Sequence, residues 1–136
     1  MLDELRDRIV DYLSEHQVCV VSTSGLTGTW AMPVRYRSQG SEVDCLLPRW
    51  ADVTYHLEQR PDVLLIVRDT QVDDLRWLEC RGTAQVIASP DWSELLPEGT
   101  AVPRPEDRYV IVRVTPKRID LVDESLGWGA RETLDL

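Results

Sequence analysis

The sequence predicts a mainly β protein with some α-helix, in which six to seven antiparallel strands close into a barrel. Short apolar runs rich in β-branched residues recur along the chain, and turn residues separate most of them. The chain has 136 residues, which suits one domain, and no repeat or linker divides residues 1–136. Short strands joined mostly by tight turns favour an antiparallel sheet closed into a barrel.

The first element is an amphipathic helix that begins near Leu2 and ends near His16. Apolar residues recur through it at helical spacing, and Asp3 and Glu4 occupy its first turn. His16 is then placed where a cation suits the helix C-terminus, and this role is favoured over a catalytic one.

Seven strands and two further helical segments follow this helix. The predicted strands are residues 18–24, 29–37, 42–47, 62–68, 76–88, 108–116 and 118–123. Residues 48–61 predict a short helix between strands, with Asp52 as a candidate cap and Pro61 as its end. Residues 89–99 predict a helical turn that starts near Ser89 or Asp91.

The alternation within two strands predicts which face is buried. In 76–88, small apolar side chains from Leu78 to Val86 form the inward face, and Trp77 lies on the polar outward face. In 29–37, one face is apolar, and Pro33 lies on the other. Because proline cannot donate to a ladder, Pro33 must lie at an edge or a bulge.

Composition limits the classes of partner. The formal net charge is −9, which argues against strong general affinity for nucleic acid. Lys117 is the one lysine, against fourteen arginines, so a phosphate site must rely on arginine, backbone N–H groups or hydroxyls. No segment is long and apolar enough to span a membrane, and the first residues do not resemble a signal peptide.

The cysteines predict no metal site and no disulfide framework. Cys19, Cys45 and Cys80 are odd in number and widely spaced, without a CxxC motif. Free, buried thiols suit a reducing compartment, so a cytoplasmic protein is expected. His16 and His56 lie forty residues apart in the sequence, and neither stands beside a nucleophile at a triad spacing. His56 is read as a half-exposed surface residue.

The order of these elements resembles the pyridoxamine 5'-phosphate oxidase-like family of FMN-binding split barrels. The stretches that carry the resemblance are "VCVVSTSGLTGTWAMPVRY", "RPDVLLIV", "WLECRGTAQVI", "RYVIVRVTPKRIDLVD" and the tail "GWGARETLDL". The resemblance implies a homodimer with two cofactor sites at the subunit interface and a small-molecule substrate. FMN is the usual cofactor; the deazaflavin F420, haem or no cofactor occurs in some branches.

An FMN site needs donors for its phosphate and flat apolar walls for its ring. The best phosphate candidate is the entry to the helix in 48–61, where unpaired N–H groups meet positive charge. The predicted phosphate contacts are Arg35, Arg49 and Thr54. The predicted contacts of the ring and its surroundings are Pro33, Val34, Trp50 and Trp128, with Trp77 as a further candidate. The tail would cross the dimer interface, and Arg131 would pair with an anion or a carboxylate.

Some residues depart from the family pattern and leave alternatives to the flavin oxidoreductase open. By alignment, Thr29 stands where the oxidases proper have an arginine, and Ala51, Asp52 and Val53 stand where they have Ser-Arg-Lys. The lysine is absent, and Asp52 adds a negative charge, so pyridoxal-phosphate synthesis is not expected. Trp128 could be an apolar plug at the barrel edge. A cofactor-free dimer for small-ligand binding or assembly, or an F420-dependent reductase, competes with the flavin oxidoreductase.

Overall fold

The computed structural model describes residues 2–25, 28–96 and 102–136. Its helices are α1 (Leu2–Glu15), α2 (Asp52–Gln59), α3 (Trp92–Leu95) and α4 (Pro105–Arg108), with a 3-10 turn at Glu124–Leu126. Its strands are β1 (Val18–Gly25), β2 (Gly28–Gln39), β3 (Glu42–Pro48), β4 (Asp62–Arg68), β5 (Arg76–Val86), β6 (Tyr109–Asp123) and β7 (Arg131–Asp135).

The strands form one antiparallel sheet in the order β3-β2-β1-β4-β5-β6-β7, and β3 also pairs with β6. Six strands therefore close a barrel, and β7 extends the sheet beside β6. Inward side chains of all six barrel strands fill the interior, and the buried apolar residues of α1 and α2 belong to the same core cluster. The predicted barrel of six to seven antiparallel strands is confirmed.

The edge position expected of Pro33 is confirmed. Strand β2 pairs with β1 along Gly28–Arg35, whereas its pairing with β3 begins only at Arg35. Pro33 therefore belongs to the part of β2 that has a neighbour on one side only. The missing N–H costs no ladder hydrogen bond there. The sequence of residues 25–28, with glycine at both ends, predicts a turn between β1 and β2, but its middle residues, 26 and 27, lie outside the described part of the chain.

The prediction of two separate strands at 108–116 and 118–123 was wrong. They are one strand, β6, which bends at a bulge instead of ending at Pro116. Arg81 on β5 faces Arg118, and Gly82 faces Pro116, so Lys117 is the extra residue. A Cβ atom at Gly82 would lie 2.4 Å from the carbonyl oxygen of Thr115, so only glycine fits this close approach.

The sequence also failed to predict β7, which lies in the tail. Its residues Arg131–Asp135 pair with Val122–Arg118 of β6. Leu134 is 2% exposed and joins the core cluster. A segment of five mostly polar residues with one buried leucine shows little strand pattern, and the edge of β6 supplies its hydrogen bonds.

Strand β5 and the short helices differ from prediction only in detail. Strand β5 ends at Val86 instead of at residue 88, and Val86 itself is exposed. Asp91 is the cap of α3, as expected, and accepts a hydrogen bond from the backbone N–H of Ser93. The end of the predicted turn, residues 97–99, lies outside the described residues. Helix α4 was not predicted.

Helix α1 is attached to the barrel by two buried tyrosines. The Tyr12 hydroxyl donates to the carbonyl oxygen of Val67 at 2.7 Å, and the Tyr36 hydroxyl donates to that of Leu13 at 2.7 Å. His16 lies just beyond the helix, with Nδ1 2.7 Å from the Tyr12 carbonyl oxygen. The predicted placement of His16 at the C-terminus of α1 is thus confirmed.

Two further findings concern the whole described chain. The three cysteines are free and buried, as expected, and burial raises the pKa of Cys80 to about 12. Among the described residues, no helix has the length and apolar character needed to cross a membrane.

Candidate functional site

Three arginines on neighbouring elements form what we call the arginine surface: Arg35, Arg37 and Arg49. Arg35 and Arg37 are exposed on the outward face of β2, and Arg35 lies beside Leu46 of β3. Strand β3 ends two residues later, and Arg49 follows in the loop that leads to α2. The barrel register therefore brings two of the three predicted phosphate residues, Arg35 and Arg49, to adjoining elements.

The arginine surface makes no ion pair with any described residue. Arg37 faces Asp44 across the ladder, but the Asp44 carboxylate binds Arg113 of β6 at 2.9 and 3.1 Å. Arg49 donates its Nε to the carbonyl oxygen of Glu106 at 2.7 Å, which fixes the side chain and leaves its terminal nitrogens without a partner in the described chain. These guanidinium groups are available for an anion.

The start of α2 adds backbone donors to this surface. Ala51 is the N-cap and has no capping side chain, so the expectation that Asp52 caps the helix was wrong. No described residue accepts a hydrogen bond from the backbone N–H of Asp52 or Val53, as is usual in an uncapped first turn. The exposed Asp52 carboxylate opposes an anion at this position.

Thr54 has an internal role. Its side chain is 3% exposed, and its hydroxyl donates to the carbonyl oxygen of Pro48 at 2.6 Å. This bond joins the first turn of α2 to the end of β3. Because its donor is already used, we assign Thr54 no contact with a ligand phosphate.

The two predicted ring contacts on β2 lie on opposite faces of the strand. Val34 is buried in the barrel, so its side chain cannot face an external ligand. Pro33 is exposed and pairs with Val20 of β1, which in turn pairs with Ile66 of β4. Val20 is 38% exposed. We call Val20, Pro33, Ile66 and Leu64 the apolar sheet face.

The tail residues lie in a different part of the protomer. Trp128 is 95% exposed, so it does not act as a plug on the barrel edge. Arg131 lies in a cleft of about 320 Å³ that also includes Arg8 and Arg76. Arg49 lies in another cleft, of about 230 Å³. These two clefts share no residue.

The remaining aromatic candidates are surface residues. Trp50 is 81% exposed beside Arg49, and Trp77 is partly exposed on the outward face of β5. His56 is partly buried and stacks on Trp30, with ring centroids 3.6 Å apart. This stack could not be predicted from the sequence, because 26 residues separate the two rings along the chain and no local pattern links them.

A cluster of charged groups at the C-terminal end of α1 was also not predicted from the sequence. Asp69 is 7% exposed and lies 3.2 Å from Arg76 and 3.6 Å from His16. A hydrogen bond from the backbone N–H of Gln71, assisted by His16 and Arg76, lowers the pKa of Asp69. The turn after β4 offered a weak signal, since aspartate favours such turns. The partners come from distant segments.

These arrangements limit the chemistry of the site. Within the described residues, no group of three His, Cys, Asp or Glu side chains could hold a metal ion. The arginine surface offers fixed positive charge and backbone donors, and the apolar sheet face offers a flat wall. Together they suit a planar molecule that carries an anionic group.

Solved structures share this fold. One is a protein from Clostridium acetobutylicum, described as related to general stress protein 26 and of the pyridoxinephosphate oxidase family. It is 12% identical, with a TM-score of 0.76, over 98% of this chain and 96% of that chain. General stress protein 26 from Bacillus anthracis is 17% identical, with a TM-score of 0.73, over 98% and 99% of the two chains.

A FAD-binding protein from Mesorhizobium loti is also similar, at 14% identity and a TM-score of 0.64, over 82% of this chain and 89% of that chain. No protein-family model matches the sequence, and no curated protein matches it either. Identities this low support the fold and not the activity. The resemblance stated from the sequence is therefore confirmed as a fold: the chain is a split barrel of the kind found in pyridoxamine 5'-phosphate oxidase-like proteins.

Proposed function

We propose that this protein belongs to the pyridoxamine 5'-phosphate oxidase-like family and is a homodimeric oxidoreductase that binds FMN between its subunits. The physiological substrate would be a small molecule of undefined identity. The protein would act in the cytoplasm without binding nucleic acid or membrane. When bound, the flavin supplies the hydride or electron chemistry, and the protein orients the ring and tunes it.

The observation that carries the proposal is the grouping of three arginines without ion-pair partners on adjoining elements. The chain holds 24 acidic residues against 15 basic ones, yet Arg35, Arg37 and Arg49 form no ion pair with a described residue. Other arginines, such as Arg60 and Arg68, also lack an ion pair with a described residue, so what favours an anion is the grouping of these three on adjoining elements near the uncapped first turn of α2. Arg49 and the first turn of α2 would hold the FMN phosphate, with Arg35 beside them.

The apolar sheet face supports dimerisation. Val20, Pro33 and Ile66 lie side by side on three adjacent strands, and Val20 and nearby Val18 are 38% and 49% exposed. A continuous apolar strip on a barrel exterior favours burial against another protein surface. A second copy suits it, because the same strip on the partner provides a self-complementary surface.

The tail supports a composite site. Trp128 projects from a turn in which Gly127 and Gly129 adopt positive φ values of 126° and 75°. Such backbone angles favour glycine, and they turn the tryptophan outward. A 95% exposed tryptophan is uncommon unless a partner covers it. We infer that Trp128 covers the flavin ring bound to the other subunit.

Asp52 favours the second candidate function, a cofactor-free dimer. Its exposed carboxylate lies at the start of α2, where it would repel a phosphate. Substitution of Asp52→Asn separates the two candidates. It should strengthen FMN binding severalfold if the phosphate lies here, and it should have no effect on a protein that binds no flavin. F420 also carries a phosphate and could occupy the same site. Competition between F420 and FMN for binding to the protein would identify which of the two cofactors it prefers.

The experiment is a titration of the purified protein with FMN, followed by flavin fluorescence and thermal unfolding. FMN should bind and raise the melting temperature, because a ligand of the folded state stabilises it. The Arg49→Ala substitution should weaken binding by about 1.5 to 3 kcal/mol. Arg104→Ala is the matched control, since Arg104 is exposed and, within the described part of the chain, pairs with Asp107 alone. A colourless protein that FMN neither binds nor stabilises would refute the proposal.

A further inference from the structure

A second cleft opens where strands β1 and β4 separate. Their pairing is confined to Val20–Ser22 against Leu64–Ile66. Beyond Ser22, β1 continues beside β2 alone and the start of β4 continues beside β5 alone. The gap between them is a cleft of about 480 Å³, which contains no residue of the arginine surface.

Hydroxyl groups line one wall of this cleft. They belong to Ser22, Thr23, Ser24 and Thr29, and that of Ser22 already donates to the carbonyl oxygen of Leu64 at 3.3 Å. Thr23 is 4% exposed, and its Oγ1 has no hydrogen-bond partner among the described residues. A buried hydroxyl without a partner is costly to a folded protein. Its position beside the cleft indicates that a bound group completes its hydrogen bonding.

Two cations line the opposite wall. Lys117 is the bulge residue of β6, and Arg81 lies beside the same bulge on β5. Among the described residues, each contacts one carboxylate at long range: Lys117 Nζ is 3.8 Å from Asp62, which also lines the cleft, and Arg81 Nη2 is 3.9 Å from Glu79. Both side chains are 67% exposed, so either can reorient towards a ligand.

We propose that this cleft binds the oxyanion group of a small molecule, either a phosphate or a carboxylate. Lys117 and Arg81 supply the charge, and the hydroxyls of Thr23, Ser24 and Thr29 supply directed hydrogen bonds. The bulge at Gly82 is what brings the chain's one lysine to the cleft. This site is independent of the flavin proposed at the arginine surface, and either can fail without the other.

The single lysine makes a direct test possible. Reductive methylation with ¹³C-formaldehyde labels Lys117 and the α-amino group and keeps both charges. Titration of this protein with inorganic phosphate, or separately with acetate, should shift the Lys117 methyl signal to saturation. The α-amino signal should stay in place, and chloride at equal ionic strength should move neither. Saturation by phosphate alone, by acetate alone or by both identifies the oxyanion.

Variants locate the site by calorimetry with the same anion. Arg81→Gln and Lys117→Gln should each weaken binding about tenfold, and Thr23→Val about fivefold. Thr23→Val should not lower the melting temperature, because it removes an unpaired buried hydroxyl. Arg6→Gln, at an exposed position of α1 outside the clefts, removes the same charge and should leave affinity unchanged. Failure of both anions to saturate the Lys117 signal, or equal affinity in Arg81→Gln and wild type, would overturn the assignment.

Discussion

Arginines at the two sides of this barrel have opposite environments. Beside α1 and β7, Arg8 binds Glu132 with two bonds of 2.7 and 2.6 Å, Arg76 contacts Asp69 and Asp123, and Arg131 lies 3.7 Å from Asp120. On the arginine surface, no described residue forms an ion pair with Arg35, Arg37 or Arg49. The paired arginines attach the first helix and the tail to the barrel, whereas the unpaired ones remain available to an anion.

The largest change in stability should come from the side of the barrel beside α1 and β7, where the arginines form ion pairs. Asp69→Ala should lower the free energy of unfolding by about 3 kcal/mol, because it leaves Arg76 half-buried without its main partner. Urea unfolding measures this. Asp52→Ala is the control, since Asp52 is exposed and unpaired among the described residues, and its effect should stay within about 0.5 kcal/mol. Equal effects at both positions would remove the distinction between the two sides.

Substitutions on the arginine surface should change the affinity for FMN and leave the free energy of unfolding almost unchanged. Arg35→Ala should weaken FMN binding by about 1.5 kcal/mol, roughly tenfold, and change unfolding by less than about 0.5 kcal/mol. Arg8→Ala should leave FMN affinity as it is. Flavin fluorescence titration provides the affinities. Loss of FMN binding in Arg8→Ala at unchanged stability would instead assign the anion to the α1 side.

The pH dependence of stability should also come from the ion pairs beside α1. The pKa of Asp69 is lowered in the folded protein, so its contribution is present above the unfolded pKa of about 3.9. It is lost as the pH falls through the lower folded value. Unfolding measured between about pH 5 and about pH 3 should show a shallower loss of stability in Asp69→Asn than in wild type. Parallel curves would show that other carboxylates cause the acid sensitivity.

The smallest effect should be that of the exposed pair Arg8–Glu132. The two side chains are 49% and 45% exposed, and Arg8 lowers the pKa of Glu132 chiefly through its hydrogen bond. A double-mutant cycle with Arg8→Ala and Glu132→Ala should give a coupling of about 0.5 kcal/mol that falls as salt is added. A coupling above about 2 kcal/mol would mean that this pair is a main attachment of α1.

The barrel could be predicted from the sequence because the patterns that indicate its strands are local. Alternating apolar residues in β2 and β5, and the edge position of Pro33, follow from neighbouring residues alone. Strand β7 was missed because its pairing depends on the distant edge of β6. The continuity of β6 through Pro116 was missed because a bulge and a strand end have the same local signature.

The candidate site was only partly predictable for the same reason. Arg35 and Arg49 could be identified by type and order along the chain, and the structure places them on adjoining elements. The inward orientation of Thr54 and Val34 depends on what surrounds them in three dimensions. The pairing of Arg131 with Asp120, and the cleft beside Thr23, likewise depend on which strands meet.

The central claim is that FMN binds only where two copies meet, and sedimentation velocity followed at the visible absorption of the flavin tests it most directly. In wild type, flavin should sediment with a dimer. Val20→Arg places a charge on the apolar sheet face and should give a folded monomer without flavin. Val72→Arg is the control at a turn residue of similar exposure, 43% against 38%, and should keep the flavin-bearing dimer. A Val20→Arg monomer that still carries flavin would contradict the claim.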